Sequence, residues 1–187
     1  HEVRWAHDAA ELPAGDMCFF LSYEKIVDKN RLMQHRNNLV VHASDLPKGR
    51  GWSPLTWQIL EGKDKIPVTI FEAGESVDSG PIYEKAFVSF SGNELIEELR
   101  CGLANEIVDL CRDFVSGYPD SAKLGLKQDG EPSFYPHRGP EASKIDVQKS
   151  LLSQFHLLRT VHNNKYHVWF EYNGRKFFLK ITAQSIL

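Results

Sequence analysis

The chain of 187 residues has 22 Lys and Arg, 25 Asp and Glu, a net charge of −3 and 42% hydrophobic residues. These values are typical of one globular domain with a sizeable core and exclude a disordered chain. The slight acidity argues against non-specific nucleic-acid binding, which needs clustered Lys and Arg, so we expect no nucleic-acid partner. The three cysteines have no close pairing and no metal-ligand spacing, which predicts a cytoplasmic chain without a metal ion. The apolar runs are too short to span a membrane, so we expect no membrane contact.

The first residues predict an incomplete start of the fold. The chain begins at His1, and its opening HEVRW has the pattern of a short strand. A doubly wound sheet normally opens with a strand and a helix before a segment of this kind. We therefore expect either an unusual start or further sequence upstream.

Two compact apolar runs follow, at residues 17–23 and 38–42, and both are typical of buried strands. The segment between them spaces its apolar residues as a short helix does. Strand, helix and strand in this order predict a parallel pair.

The middle of the chain predicts further helices and strands. Residues 53–62 indicate a helix, with Ser53 as its N-cap and Pro54 in its first turn. Residues 67–73 and 81–90 indicate two strands that pair across a loop. A long helical pattern then has one apolar face, which consists of Leu95, Leu99, Leu103, Ile107, Leu110 and Phe114.

The last third begins with proline-rich residues 118–146, which we interpret as a surface connector. Residues 144–162 predict a helix with an apolar stripe of Leu151, Phe155 and Leu158. Asn173-Gly174 between alternating segments predicts a β-hairpin. The aromatic residues of this hairpin would suit the domain's own core or a contact between two copies of the chain, which would be a homodimer.

Together these elements predict an α/β fold. We expect a Rossmann-like catalytic domain with a mainly parallel sheet over residues 1–146. A small C-terminal extension, with one helix and one β-hairpin, is expected over residues 147–187.

Two side chains indicate a candidate acyl-transfer site. His42 closes a strand, and a loop with Pro47, Gly49 and Gly51 follows it, where backbone can approach a ligand. Asp78 stands in a second loop bounded by glycines. A neutral imidazole, with an ordinary pKa of about 6.5, can accept a proton from an amine, and a carboxylate stabilises the resulting cation. The alternative is a structural histidine at a strand end and an aspartate that caps a turn.

The run from residue 40 to residue 82 resembles the formyltransferase family that uses 10-formyltetrahydrofolate as donor. Within the family it is most similar to nucleotide-sugar N-formyltransferases, such as those that make pseudaminic acid or related amino-deoxysugars. The likeness is carried by His42, Ser44, Leu46, Pro47, Arg50, Gly51, Pro54, Asp78 and Gly80. It extends from about Cys18 to Asp146, and it favours a chain that lacks its first strand and helix.

The resemblance implies roles for residues of both loops. His42 would be the general base and Asp78 its partner, without a metal ion. The donor would contact Tyr23, Ser76 and Asp78. The acceptor would contact Ser44, Lys48, Gly49, Arg50, Trp52, Tyr135 and Arg138. Four of these have structural alternatives. Tyr135 and Arg138 would only fix a loop, Trp52 would lie in the core, and Lys48 would only be a solvated loop lysine.

One position departs from the family pattern. The asparagine that polarises the formyl oxygen falls on Val40, and Asn38 lies about 7 Å further along the same strand face. We expect protonated His42 with water, or a loop donor such as Ser44, to take that role.

The leading hypothesis is an N-formyltransferase acting on the primary amine of a nucleotide-linked amino deoxysugar. No Gly-x-Ser-x-Gly elbow occurs, which favours direct transfer between two bound substrates. Two alternatives remain: an enzyme that formylates methionyl-tRNA, and a folate-binding protein that has lost catalysis.

Overall fold

A four-stranded sheet forms the centre of the computed structural model, which describes residues 1–74 and 76–184. Together with two separate strand pairs, β3 with β6 and β7 with β8, the described strands are β1 (Gly15–Phe20), β2 (His35–His42), β3 (Arg50–Gly51), β4 (Lys65–Glu72), β5 (Ile82–Ser89), β6 (Phe134–Tyr135), β7 (Val168–Tyr172) and β8 (Arg175–Leu179). The α-helices are α1 (Lys29–Leu32), α2 (Pro54–Leu60), α3 (Ile96–Ser116) and α4 (Phe155–Arg159). Within the described ranges, no helix combines the length and the apolarity needed to cross a membrane.

The main sheet has the order β1-β2-β4-β5 and is mixed. β1 and β2 are parallel, as predicted, whereas β4 is antiparallel to both β2 and β5. The α/β class is confirmed, but the expectation of a mainly parallel sheet is corrected. The short connection between β4 and β5 accounts for the second of these antiparallel pairs, because strands joined as a hairpin must be antiparallel.

The expected strand at the beginning of the chain is wrong. Residues 1–6 adopt no regular structure, and Val3 and Trp5 are exposed. β1 pairs with β2 alone among the described strands, so residues 1–6 do not pair with the open edge of β1.

The two faces of the sheet have different covers. Leu39 and Val41 of β2 pack against Leu110 and Phe114 of α3. Strand side chains alternate between faces, so Val40 lies on the opposite side, where it joins Cys18, Phe20 and the segment around α1. His42 shares the face of Val40 and therefore points away from α3.

The helix predicted after the first site loop is α2. Ser53 occupies its N-cap position, but with a φ of 49° it makes no side-chain capping bond. At the other end Gly62 has a φ of 81°, and the next amide, that of Lys63, donates to Gln58 O at 3.0 Å. The Gly62 N–H donates to the Ile59 carbonyl oxygen, also at 3.0 Å, and the two bonds form a Schellman motif that ends the helix.

The predicted apolar face of α3 is confirmed, since Leu99, Leu110 and Phe114 are buried. The predicted helix over residues 144–162 is mostly wrong: only a short 3₁₀ turn and α4 form, and Leu151 is exposed. Gln154 explains the difference. Its amide group bonds both the N–H and the C=O of Asp146, at 2.7 and 3.0 Å, and so closes a loop where the helix was expected.

The predicted C-terminal hairpin is confirmed. β7 and β8 are joined by Asn173 and Gly174, with φ angles of 47° and 71°, as a type I′ turn requires. The hairpin helps to build a separate apolar cluster of Ile145, Leu158, Val161 and Val168. The boundary at residue 146 stays a prediction, and residues 185–187 of the predicted extension lie outside the described ranges.

A buried arginine joins this C-terminal segment to the main sheet. Arg159 is fully buried, and its guanidinium contacts Asp64 at 3.0 Å and Glu94 at 2.7 Å. Its Nε donates to the Glu94 carbonyl at 3.0 Å. Burial alone would raise the pKa of Glu94, but hydrogen bonds from the side chain and amide of Ser91 and from nearby amides lower that pKa to about 2.

Candidate active site

A histidine and an aspartate meet at the end of β2. His42 is the last residue of this strand, and Asp78 lies in the loop between β4 and β5. The distance between His42 Nε2 and Asp78 Oδ2 is 3.6 Å, and the side chains are 11% and 13% exposed. The structure thus brings together two residues that are distant in sequence. Within the described residues, no group of three or more His, Cys, Asp or Glu side chains could hold a metal ion.

The loop at residues 49–51 contacts both members of this pair. His42 Nε2 lies 2.9 Å from the carbonyl oxygen of Gly49, and Asp78 Oδ2 accepts the Gly51 N–H at 2.8 Å. A carbonyl oxygen can only accept, so Nε2 of His42 is the protonated ring nitrogen. The lone pair of the neutral imidazole is therefore on Nδ1.

Glycines allow this close approach of backbone to side chains. Gly51 has a φ of 95°, and a Cβ there would lie 2.6 Å from the carbonyl oxygen of Tyr135, its neighbour across the β3–β6 pair. A Cβ on Gly80 would lie 1.8 Å from the Glu72 carbonyl oxygen. The segment at residues 49–51 that contacts the pair and the loop that carries Asp78 are thus each tied to a neighbouring strand at a position that admits no side chain.

Replacing Gly51 with alanine is expected to lower the free energy of unfolding by about 2 kcal/mol or more, because the new Cβ meets Tyr135 backbone at a strained φ. Chemical denaturation measures this change. Gly139→Ala is the matched control, since no atom lies within 4 Å of its Cβ position. An equal loss in both variants would contradict the steric argument.

A cleft lies beside the pair, and all three residues that were predicted to contact the donor line it. Tyr23, Ser76 and Asp78 line it together. Its other walls are largely apolar and include Phe20, Val27, Leu32, Val40 and Phe71. Apolar walls with a few convergent polar groups suit a flat ring system with a polar edge, so the residues present fit a folate.

Val40 gives this cleft an apolar side chain where the resemblance expects an asparagine. Asn38 does not replace it, because its side-chain amide donates to the Leu32 carbonyl at 2.9 Å and its own N–H bonds Glu72. Ser44 lies nearer to His42 in sequence. Its side chain is buried, and its hydroxyl has no hydrogen-bond partner among residues 1–74 and 76–184.

The predicted acceptor residues of the first loop divide into two groups. Gly49 is buried and Arg50 is half-buried, with Arg50 Nη2 donating to Gln128 Oε1 at 2.7 Å. Lys48 is exposed. Trp52 is 42% exposed, and its ring packs edge to face with the ring of His137, with 4.9 Å between the ring centroids. Trp52 therefore lies at the surface and not in the core.

Tyr135 and Arg138 have their polar groups engaged within the protein. Tyr135 stacks on Trp57 and donates to Glu61 at 3.1 Å; burial and this bond raise the pKa of Tyr135 to about 12. Arg138 lies over Trp57 and donates to the Ala142 carbonyl at 3.0 Å, and burial lowers the pKa of Arg138. This arrangement favours the alternative in which both residues fix a loop.

Two residues of the site were not predicted from the sequence. Gln128 donates to the carbonyl oxygens of Asp78 and Gly80, and Ser133 Oγ accepts the Gly49 N–H at 2.9 Å. Both lie in the segment interpreted as a surface connector. A lone Gln and a lone Ser in a proline-rich segment carry no periodic signal, so only the fold reveals them.

Comparisons with known proteins identify relatives of the chain. A family model described as formyl transferase matches residues 6–106. Methionyl-tRNA formyltransferase of Streptococcus agalactiae is 32% identical over 123 residues, which are 65% of this chain and 40% of that protein. The chain thus spans about 40% of the length of such curated relatives.

Solved structures share the fold. A sugar N-formyltransferase from Shewanella sp. superposes with a TM-score of 0.68 at 18% identity, covering 92% of this chain and 71% of that one. HypX from Aquifex aeolicus in complex with tetrahydrofolic acid gives a TM-score of 0.69 at 17% identity, covering 90% and 29%. At these identities the likeness shows a common architecture.

Proposed function

Because this chain belongs to the formyl transferase family, we propose that it transfers a formyl group from 10-formyltetrahydrofolate to the primary amine of a nucleotide-linked amino deoxysugar. The observation that carries the proposal is the contact of 3.6 Å between His42 and Asp78, of which Asp78 also lines the cleft. This contact supports the roles of His42 as base and Asp78 as its anionic partner, next to a surface that suits the donor.

In the proposed reaction His42 removes the proton from the attacking amine. The donor, when bound between Tyr23, Ser76 and Asp78, supplies a formyl group already activated for transfer to nitrogen. Since Gly49 and Asp78 hold the protonated Nε2 of His42, the lone pair of Nδ1 accepts the proton. Asp78 then stabilises the imidazolium. His42 would return this proton to the folate nitrogen as its bond to the formyl carbon breaks, so that the products are the formamide and tetrahydrofolate.

The negative charge that develops on the formyl oxygen must also be stabilised. Val40 offers no hydrogen-bond donor at the cleft, so the imidazolium of His42, water or the Ser44 hydroxyl would serve. A single donor of this kind is worth about 3 kcal/mol of transition-state stabilisation.

The surface beside the first loop supports a nucleotide sugar as acceptor. Trp52 follows directly on Gly51, whose amide bonds Asp78, and its half-exposed ring offers a face for a sugar or base. The cationic side chains of Lys48 and Arg50 belong to the same loop and would suit phosphate. The sugar N-formyltransferase from Shewanella has the same fold.

A second candidate acceptor is methionyl-tRNA, and one observation favours it. Residues 147–187 contain six Lys and Arg but one acidic residue, Glu171, although the whole chain has a net charge of −3. Lys176 Nζ lies 3.5 Å from the centroid of the buried Trp169 ring, and the aromatic side chains of Tyr172 and Phe178 in this segment are exposed. A basic, aromatic surface is what polyanion binding uses. The net charge of the whole chain does not show this local excess of basic residues. The prediction of no nucleic-acid partner therefore stays a prediction.

The assay that tests the proposal supplies 10-formyltetrahydrofolate with a panel of amino-deoxysugar nucleotides and, separately, methionyl-tRNA. We expect release of tetrahydrofolate and formylation of at least one amino sugar, and no reaction when a hydroxyl replaces the amine. Formylation of methionyl-tRNA alone would support the second acceptor. Donor binding without transfer to any amine would support the third hypothesis, a folate-binding protein without catalysis.

A further inference from the structure

One glutamine connects the two loops that carry the site. Gln128 Nε2 donates to the carbonyl oxygens of Asp78 and Gly80, each at 2.9 Å. Its Oε1 accepts from Arg50 Nη2 at 2.7 Å. Gln128 thus uses both amide hydrogens on the aspartate loop and its oxygen on the loop that follows His42.

The aspartate loop needs such support because of its backbone conformation. Asp78 has a φ of 50°, in the left-handed region, which costs roughly 1–2 kcal/mol for a residue with a Cβ. In this conformation of the loop, the carboxylate of Asp78 accepts the Gly51 N–H and lies 3.6 Å from His42 Nε2. Two bonds to carbonyls on either side of Ser79 hold the loop against relaxation.

The chemistry of position 128 is specific to a long primary amide. A glutamate there has no N–H to donate and would place oxygens against two carbonyl oxygens. A methionine keeps the approximate length but makes no hydrogen bond. A guanidinium only donates hydrogen bonds, so the oxygen of the Gln128 amide, and not its NH2 group, must face Arg50.

We propose that Gln128 is a positioning residue, which holds the backbone of Asp78 so that its carboxylate stays against Gly51 and His42. The role in catalysis rests on the formyl transfer proposed above, whereas the role in holding the loop does not. Arg50 orients the amide of Gln128, so the two loops are fixed relative to each other.

The test compares Gln128→Glu and Gln128→Met with Lys127→Gln. The last variant alters an exposed neighbour and changes the charge by the same amount as Gln128→Glu. We expect kcat of formyl transfer to fall at least about tenfold in both Gln128 variants, with the KM for the acceptor within about threefold, because a displaced partner impairs the chemical step. Lys127→Gln should retain the kcat of the unsubstituted chain within twofold.

Amide hydrogen exchange supplies a second readout that needs no activity. The Gly51 N–H should exchange at least about tenfold faster in both Gln128 variants, because its acceptor is the Asp78 carboxylate. The Trp52 N–H, which bonds the Tyr135 carbonyl, is the internal reference. Unchanged Gly51 exchange would overturn the proposal, and so would faster exchange with undiminished kcat. If the unsubstituted chain transfers no formyl group, the proposed function fails, while Gly51 exchange still decides whether Gln128 holds the loop.

Discussion

Formyl transfer by the His42→Ala variant is expected to be at least about 100-fold slower in kcat than by the unsubstituted chain, because the variant has no base for the amine proton. The apparent affinity for the donor should change little, since the described residues that line the donor cleft do not include His42. Steady-state kinetics with varied donor and varied acceptor separate these two effects. A loss confined to KM would instead indicate that His42 only binds substrate.

Two further variants make this result specific. His156→Ala removes an exposed histidine from α4 and should leave kcat within twofold. Adding Asp78→Asn to His42→Ala should cost little more than His42→Ala alone, because residues that act as one unit are not additive. Losses that multiply would show that Asp78 works independently of His42. A kcat for His42→Ala within tenfold of the unsubstituted chain would contradict general-base catalysis.

The elements with local signals were predictable from the sequence. The short apolar run that ends in His42 indicated a buried strand, whose last side chain would lie at the carboxyl end of β2. The Asn173-Gly174 dipeptide fixed the type of hairpin turn. These predictions succeed because the physics that decides them acts within a few residues.

Features decided by distant contacts were not predictable in this way. The direction of β4 depends on how its ends connect to β2 and β5, and a strand pattern does not show direction. The helix expected before α4 is replaced by bonds from one side chain, Gln154, to the backbone eight residues earlier. Gln128 contacts Asp78 across 50 residues of chain, so no spacing in the sequence marks it.

The position of Asp78 shows how local and distant effects combine. The glycines on either side of Asp78 indicated a loop. The prediction that Asp78 meets His42 then needed only that this loop lie at the same end of the sheet as His42. Its left-handed φ and its bond to the Gly51 amide depend on Gly80 lying against Glu72 and on Gln128. The sequence therefore predicted which residues meet, and the fold determines how they are held.

The second large effect is expected from the buried pairing of Arg159. Replacing both of its carboxylate partners, in Asp64→Asn with Glu94→Gln, should lower the free energy of unfolding by about 3–5 kcal/mol. The guanidinium is fully buried and cannot lose its proton, so the charge would remain without a compensating anion. Chemical denaturation monitored by tryptophan fluorescence measures the loss.

Two comparisons separate a buried unpaired charge from a general loss of packing. Asp109→Asn with Glu2→Gln removes the same two charges from exposed ion pairs, with Arg112 on α3 and with Arg4, and should cost less than about 1 kcal/mol. Adding Arg159→Met to the first pair should restore at least half of the lost stability, because a long apolar side chain fills the same space without a charge. If the triple variant is less stable than the double variant, Arg159 stabilises the fold through its stem and remaining hydrogen bonds, and the charge argument is wrong.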